Sequence, residues 1–523
     1  MGDKLNIMLE QAINAFQQGS YESAVSILNK ILQHNSKNLP ALHILGLIKA
    51  SQEKYSESAE LLGRALQLNP NDPSISYNLA KALYDSGAPN TSLIHYQKTT
   101  KLAPNYLEAW IGYAKVLSEF KRYEEALSAI NKSIQINPNL AELWSNKGNI
   151  LHGLKCYDEA LNAFKKAILI NPDFADAYYN QGITQHELGL LNDAITSFKK
   201  TISLRPNFAS ARWNLSLCNL QQGNYHEGFA NYESRTMRGE ENNYVKRRGL
   251  DRPYWLGLEP IENKKILLYG EQGFGDYIQF CRYVKTINDL GGRVILECPK
   301  ELYDLVSRLD GYTEIVMEGE ELPDFDCHSS LLSLPFALKS SIDTIPKNKA
   351  YLSADPNKIN FWLNKLGAKN KIRVGIAWSS TSGFKGDSKR SLKLDEFVDA
   401  LPSDRFEYIC LQKELKDSDK DFFDSYRKIK FFGDQINNFD DTAALIECVD
   451  LVISTCTSIP HLSGALGKRT LILLSYVPDW RWLLTETKSP WYPTVKLFRQ
   501  EKLDDWSAPL RGIKSEILKM DRI

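Results

Sequence analysis

The stretch PNLAELWSNKGNILHGLKCYDEALNAFKKAILIN, residues 138–171, decides the reading of the first half of the chain. It is 34 residues long, and Pro172 directly after it begins the same pattern again. Outward from it the spacing persists. Pro70, Pro104, Pro138, Pro172 and Pro206 are each 34 residues apart, as are Tyr21, Tyr55, Pro89, Tyr123, Tyr157, Leu191 and Tyr225. A third series is small: Ala12, Gly46, Ala80, Ala114, Gly148, Gly182 and Ser216. Trp110, Trp144 and Tyr178 stand four residues before three of its members.

Independent series with one period have a mechanical meaning. Each unit is two antiparallel helices; small residues let them approach, large apolar ones fill the space between, and Pro marks the link to the next unit. This is the tetratricopeptide pattern, with six full units from about residue 5 to 208 and a partial seventh to about 236. Such arrays present a concave binding face. Asn78, Asn146, Asn180 and Asn214 share the position two before the small residue. Asn is a mediocre helix former that both donates and accepts hydrogen bonds, so the row reads either as a ladder for an acceptor peptide backbone or as ordinary polar surface between helices.

After Tyr232 the period stops. Residues 237–254 read as a polar linker containing Lys246, Arg247 and Arg248. ILLYG, RVILECP and TEIVM then alternate with helical stretches, and a second series of apolar runs begins with VGIAWSS near Arg373. This alternation predicts parallel sheets covered by helices. The expected organisation is α followed by α/β: a helical solenoid over 1–236, one Rossmann-like lobe over 255–352 and a second over 370–523. The residues 277–292 are expected to form one helix.

Composition narrows the function. Lys+Arg and Asp+Glu are both 64, and the first 236 residues hold 22 basic and 21 acidic, leaving 42 and 43 for the rest. Neither part is a basic body for nucleic acid. No apolar run is long enough to span a membrane, and the N-terminus lacks a signal-peptide pattern. The eight Cys include no CxxC pair, which predicts reduced thiols in a cytoplasm, with no metal site and no cofactor.

Ligands of open α/β sheets bind beyond the carboxyl ends of the strands. Three loops there carry chemistry. Gly270–Asp276, GEQGFGD, places Asp276 at a helix start, as a cap or as a carboxylate able to accept a proton. Ser454–His461, STCTSIPH, opens another helix whose free amides suit a diphosphate; Thr457 and Ser458 can cap it, and His461 is either a phosphate donor or a packed core residue. Thr381–Ser391 offers hydroxyls, glycines and cations for a nucleotide diphosphate, while Gln412 and Lys413 end the next strand within reach of a base or ribose. Cys456 has no activating neighbour in sequence and reads as a small apolar residue.

The stretches GEQGFGDYIQFCRYV, RVILECP, SLLSLPFAL, VGIAWSS, LQKE, DTAALIECVDLVIS, HLSGALGK, PDWRWLL and SPWYPTVKLFRQ resemble, in order, the repeat-fused bacterial glycosyltransferases related to ADP-heptose:lipopolysaccharide heptosyltransferases. The resemblance implies a GT-B fold, a nucleotide-sugar in the second lobe, an acceptor toward the first, and usually no catalytic metal. It implies Asp276 as catalytic base. Ser379, Ser380, Lys389 and Arg390, together with Thr457, Ser458 and His461, are implied as the phosphate contacts. Cys456 stands where that family has an acidic residue, so one acidic contact to the donor sugar is absent. The plan of repeats followed by two lobes is also similar to that of O-GlcNAc transferases. Three functions follow as expectations: transfer of a sugar to a Ser or Thr hydroxyl of a protein held by the repeats, transfer in surface-polysaccharide assembly, and a non-catalytic scaffold.

Overall fold

The computed structural model describes residues 2–237, 249–347, 349–380, 390–402, 404–426 and 428–520. The repeats form seven helix pairs: α1 (Gly2–Gln17) with α2 (Tyr21–His34), α3 (Leu39–Ser51) with α4 (Tyr55–Leu68), α5 (Pro73–Asp85) with α6 (Pro89–Leu102), α7 (Leu107–Glu119) with α8 (Tyr123–Ile136), α9 (Ala141–Gly153) with α10 (Tyr157–Ile170), α11 (Ala175–Glu187) with α12 (Leu191–Leu204), and α13 (Ala209–Gln221) with α14 (Tyr225–Tyr232). The conserved spacing has local causes. A Cβ on Gly148 would stand 2.5 Å from the Phe164 ring, and one on Gly46 would stand 2.7 Å from Leu62, so only Gly permits these helix approaches. Trp110 and Trp144 donate their indole N–H to the carbonyls of Pro104 and Pro138, 2.8 Å in each case, tying each unit to the turn before it. In the seventh pair Arg212 does the same to Pro206.

Two compact units result, Met1–Thr184 and Gln185–Ile523, with the division inside α11. The second unit holds α12 to α14 and two sheets. In the first sheet β1 (Lys265–Tyr269), β2 (Arg293–Cys298), β3 (Glu314–Met317) and β4 (Cys327–Ser330) lie in the order β3-β2-β1-β4. In the second β5 (Ile372–Ala377), β6 (Phe406–Cys410), β7 (Ile429–Lys430), β8 (Leu451–Thr455), β9 (Thr470–Leu474) and β10 (Val495–Arg499) lie in the order β10-β9-β8-β5-β6-β7. All their pairings are parallel. β5, β8 and β9 are buried along their whole length, as expected for strands covered on both faces.

The expected single helix over 277–292 is two: α15 (Phe274–Phe280) and α16 (Tyr283–Asp289). The Arg282 Nε donates to the Gln279 carbonyl, 2.8 Å, and the backbone tightens to a Val284 N–H to Cys281 carbonyl bond of 3.0 Å. The Arg282 guanidinium also reaches the Trp491 carbonyl at 2.7 Å, so the break anchors the first sheet's helix to the second sheet's outer segment.

One apolar core runs through the seventh helix pair and both sheets. Tyr225 stacks on Trp491 with ring centroids 5.8 Å apart, and Phe229 meets Trp480 edge-on at 5.7 Å. Aromatic pairs of this kind add about 0.5–1.5 kcal/mol each beyond area burial. A buried ionic tie accompanies them. Arg235 pairs with Glu233 and Glu271, and donates to Ser333 Oγ at 2.6 Å. Of the polar segment after Met237, residues 238–248, which include Lys246, Arg247 and Arg248, lie outside the described residues.

Candidate functional site

The second unit contains a cavity of about 690 Å³ beyond the carboxyl ends of β1, β5, β6 and β8. Two further helices border it, α22 (Phe439–Glu447) and α23 (Ser458–Ala465), which follow α17 (Lys300–Val306), α18 (Leu334–Ala337), α19 (Pro356–Leu366), α20 (Leu394–Asp399) and α21 (Asp417–Ser425) in chain order. Asp276, Ser379, Ser380, Arg390, Gln412, Lys413, Thr457, Ser458 and His461 all line this cavity. Lys389, with the rest of 381–389, lies outside the described residues.

Local sequence explains the meeting of the helix starts that follow β1 and β8. A Cβ on Gly275 would stand 3.1 Å from His461 Cδ2 and 3.4 Å from Ser458 Cα. A glycine here therefore allows α15 to approach α23 closely. Thr457 caps α23, accepting the Ile459 N–H at 3.3 Å. The neighbouring amides at this helix start form the positive end of its dipole.

Asp276 is the third residue of α15, and the N-cap position is Gly273. The Asp276 backbone N–H donates to the Gly273 carbonyl at 3.0 Å, and its carboxylate remains about one-fifth exposed. It is also ion-paired with Arg481, a residue 205 positions away. Burial lifts its carboxyl above the usual carboxylate range; Asp479 and Glu271 push the same way, and Arg481 with the Gly273 amide opposes them.

His461 is a neutral imidazole at pH 7. Burial, followed by the repulsion of Arg481, brings it down to about 3. Its Nδ1 lies 3.0 Å from the Tyr492 hydroxyl, and its ring stacks on Trp482 at 5.1 Å. Packing and cavity lining are thus both its roles, and it presents no cation to a phosphate. Cys456 receives the Trp482 indole N–H at 3.1 Å, and burial pushes its thiol up to about 11, so it is no thiolate nucleophile near neutrality.

Gln412 differs from its expected reach to a base or ribose. Its Oε1 accepts the Trp378 and Ser379 amides at 2.7 and 3.1 Å, and its Nε2 donates to Ser379 Oγ at 3.1 Å. The side chain closes the loop after β5, because β5 and β6 are neighbours. Ser380 Oγ accepts from Arg390 at 3.5 Å, which places that guanidinium at the cavity wall. Lys413 is exposed, with its Nζ 3.5 Å from the Asn437 carbonyl.

The Asn series is not uniform. Asn78 on α5 spends its Nδ2 on His43 Nε2, 3.0 Å away, so its amide is already engaged. Asn146 on α9 is exposed, and Asn180 on α11 is half-buried. Asn214 is half-buried on α13, in the second unit.

Several lining residues escaped sequence reasoning. Asp479, Trp480 and Arg481 follow β9, while Trp213, Leu217 and Tyr232 come from the seventh helix pair. The available signal was the pair of opposite charges beside two Trp in PDWRW, since charges in apolar surroundings need partners. Among the described residues no group of three or more His, Cys, Asp or Glu is placed to hold a metal ion. No helix among them is long and apolar enough to cross a membrane.

Comparison with known proteins supports the repeats directly. Models described as tetratricopeptide or TPR repeats match residues 46–87, 77–141, 141–174, 163–196 and 187–233. The N-terminal part of the chain therefore consists of tetratricopeptide repeats. Protein FlbA of Caulobacter vibrioides is 25 % identical over 335 residues, 57 % of this chain and 53 % of FlbA. The chain thus spans about half the length of that relative. Among solved structures, MamA from Desulfovibrio magneticus RS-1 is 20 % identical with a TM-score of 0.32, covering 32 % of this chain and 96 % of MamA. YrrB, described as a TPR protein with an unusual peptide-binding site, is 21 % identical with a TM-score of 0.30, covering 35 % and 95 %. The C-terminal part of a TPR repeat-containing protein from Cytophaga hutchinsonii is 15 % identical with a TM-score of 0.37, covering 45 % and 96 %.

Proposed function

We propose that the chain is a glycosyltransferase of GT-B plan that moves a sugar from a nucleotide donor to a Ser or Thr hydroxyl of a protein. The observation that carries this reading is the convergence of Asp276, from the end of the first sheet, with Ser379, Ser380, Arg390, Thr457, Ser458 and His461, from the second, on one cavity. The donor diphosphate lies against Arg390 and the α23 amides, where charge-assisted bonds and the helix dipole favour an anion. The acceptor oxygen bonds to the anomeric carbon as the bond from that carbon to the diphosphate oxygen breaks. Its proton passes to Asp276, and the electron pair leaves on the diphosphate.

Tetratricopeptide repeats are protein-interaction modules by architecture, and the exposed Asn146 and half-buried Asn180 supply polar contacts for a polypeptide. The residue ranges 1–236, 255–352 and 370–523 then act as acceptor-recruiting array, acceptor lobe and donor lobe. Eight free cysteines suit a reducing cytoplasm. A scaffold role is the second reading, favoured by the ion pair that occupies Asp276.

The test is a panel of uridine, guanosine, adenosine and cytidine nucleotide-sugars incubated with the full chain. Nucleotide release and a ligand-dependent rise in unfolding temperature support transfer. Neither effect with any member of the panel leaves the scaffold.

A further inference from the structure

Arg481 sits between two carboxylates that reach it from different parts of the second unit. Asp276 comes from α15, after β1. Asp479 comes from the turn after β9 and starts the short 3-10 helix Trp480–Trp482. The Arg481 NH1 lies 3.0 and 3.1 Å from the two Asp479 oxygens, the Arg481 amide bonds Asp479 Oδ1 at 3.0 Å, and NH2 pairs with Asp276. The guanidinium is buried and packs over the Trp480 and Phe280 rings, at 4.4 and 5.7 Å. All three side chains line the cavity.

We infer that Asp479 and Arg481 are positioning residues for Asp276: Arg481 aims its carboxylate, and Asp479 offsets the guanidinium charge so that Asp276 stays basic enough to accept a proton. This rests on the glycosyltransferase reading above. The charge arithmetic is the reason. With both carboxylates ionised the triad carries one net negative charge. A proton arriving on Asp276 leaves a neutral, closed Arg481–Asp479 pair. Without Asp479 the same proton would leave a buried guanidinium uncompensated, and that state is disfavoured in a low-dielectric site.

The two carboxylates differ in a way that fits these roles. The Asp479 side chain stays more than one-third exposed, and although partial desolvation works against its charge, Arg481 with its backbone amide holds its carboxyl below the usual range. Asp276 lies on the other side of the usual range. The groups facing Asp276 are Arg481, Asp479 and Glu271, the last itself tied to Arg235, with Tyr232 and, across Gly275, the neutral His461.

The experiment titrates Asp276 in the full chain without any ligand. Chains labelled with 13C at the aspartate carboxyls are followed by infrared spectroscopy against pH, and subtraction of Asp276→Asn isolates the Asp276 band. Asp479→Asn is expected to move its midpoint down by about one pH unit, and Arg481→Gln to move it up by a similar amount. Arg481→Lys restores the charge and should return the midpoint toward wild type. An unchanged midpoint in folded Asp479→Asn overturns the inference. If that variant fails to fold, an Arg481→Lys midpoint equal to that of Arg481→Gln overturns it instead. Midpoints that move as stated in a chain that turns over none of the nucleotide-sugar panel keep the charge arrangement and sink the transfer reading. Turnover with immobile midpoints does the reverse.

Discussion

Replacing His461 with Gln should make the second unit less sensitive to acid. In the folded chain the imidazole is held near 3, below its ordinary 6.5, by burial and by Arg481. The unfolded chain therefore binds a proton between about pH 6.5 and 3 that the folded chain refuses. Stability attributable to this residue is present above pH 6.5 and is lost as pH falls through that window. From pH 7 to pH 5 the loss amounts to about 2 kcal/mol. The Gln variant forfeits the stacking on Trp482 and weakens the bond to the Tyr492 hydroxyl, so it starts less stable at pH 7. It has no proton to refuse, so the gap between the two chains should narrow by about 2 kcal/mol at pH 5. Urea unfolding followed by tryptophan fluorescence, with Trp482 beside the site, measures that gap at both pH values. A gap that is the same at pH 7 and pH 5 would refute the claim that His461 is buried and neutral.

Arg390→Ala should weaken binding of a plain nucleoside diphosphate by about 1.5–3 kcal/mol, read by calorimetry, since a charged hydrogen bond to phosphate is lost. Replacing Asn146, Asn180 and Asn214 together with Ala should reduce transfer to a protein acceptor while hydrolysis of the donor by water survives; each bond is worth only about 0.5–1.5 kcal/mol, so the triple variant is the fair comparison. Gly148→Leu should cost the first unit about 1–3 kcal/mol, because the new side chain enters the space of Phe164; a thermal melt that matches wild type would refute the close-approach argument.

The helix pairs were legible because their causes are local. A Pro, an aromatic residue and a small residue recur where each pair must turn, fill and close, and Trp144 reaches only as far as Pro138. The parallel sheets were legible from uninterrupted apolar runs such as β8 and β9. What remained hidden depends on contacts distant in sequence. Gln412 looked free to meet a ligand, yet the adjacency of β5 and β6 commits its amide to the Ser379 loop. Asp276 could be placed at a helix start by spacing, but nothing nearby announces the guanidinium from position 481 that meets it. The break between α15 and α16 likewise follows from Arg282 reaching Trp491, a contact across 209 residues.

The most direct measurement of the central claim is donor turnover by the wild-type chain and by Asp276→Asn, with binding of the nucleoside diphosphate measured in both. The account predicts that wild type releases nucleotide from at least one donor of the panel in the presence of a hydroxyl acceptor. In the variant that turnover should fall by roughly 100-fold or more, since a general base contributes on that order. Affinity for the diphosphate should change little, because Asp276 faces the acceptor proton. A variant that turns over as fast as wild type would contradict the account and leave Asp276 as the ion-pair partner of Arg481 at a helix start.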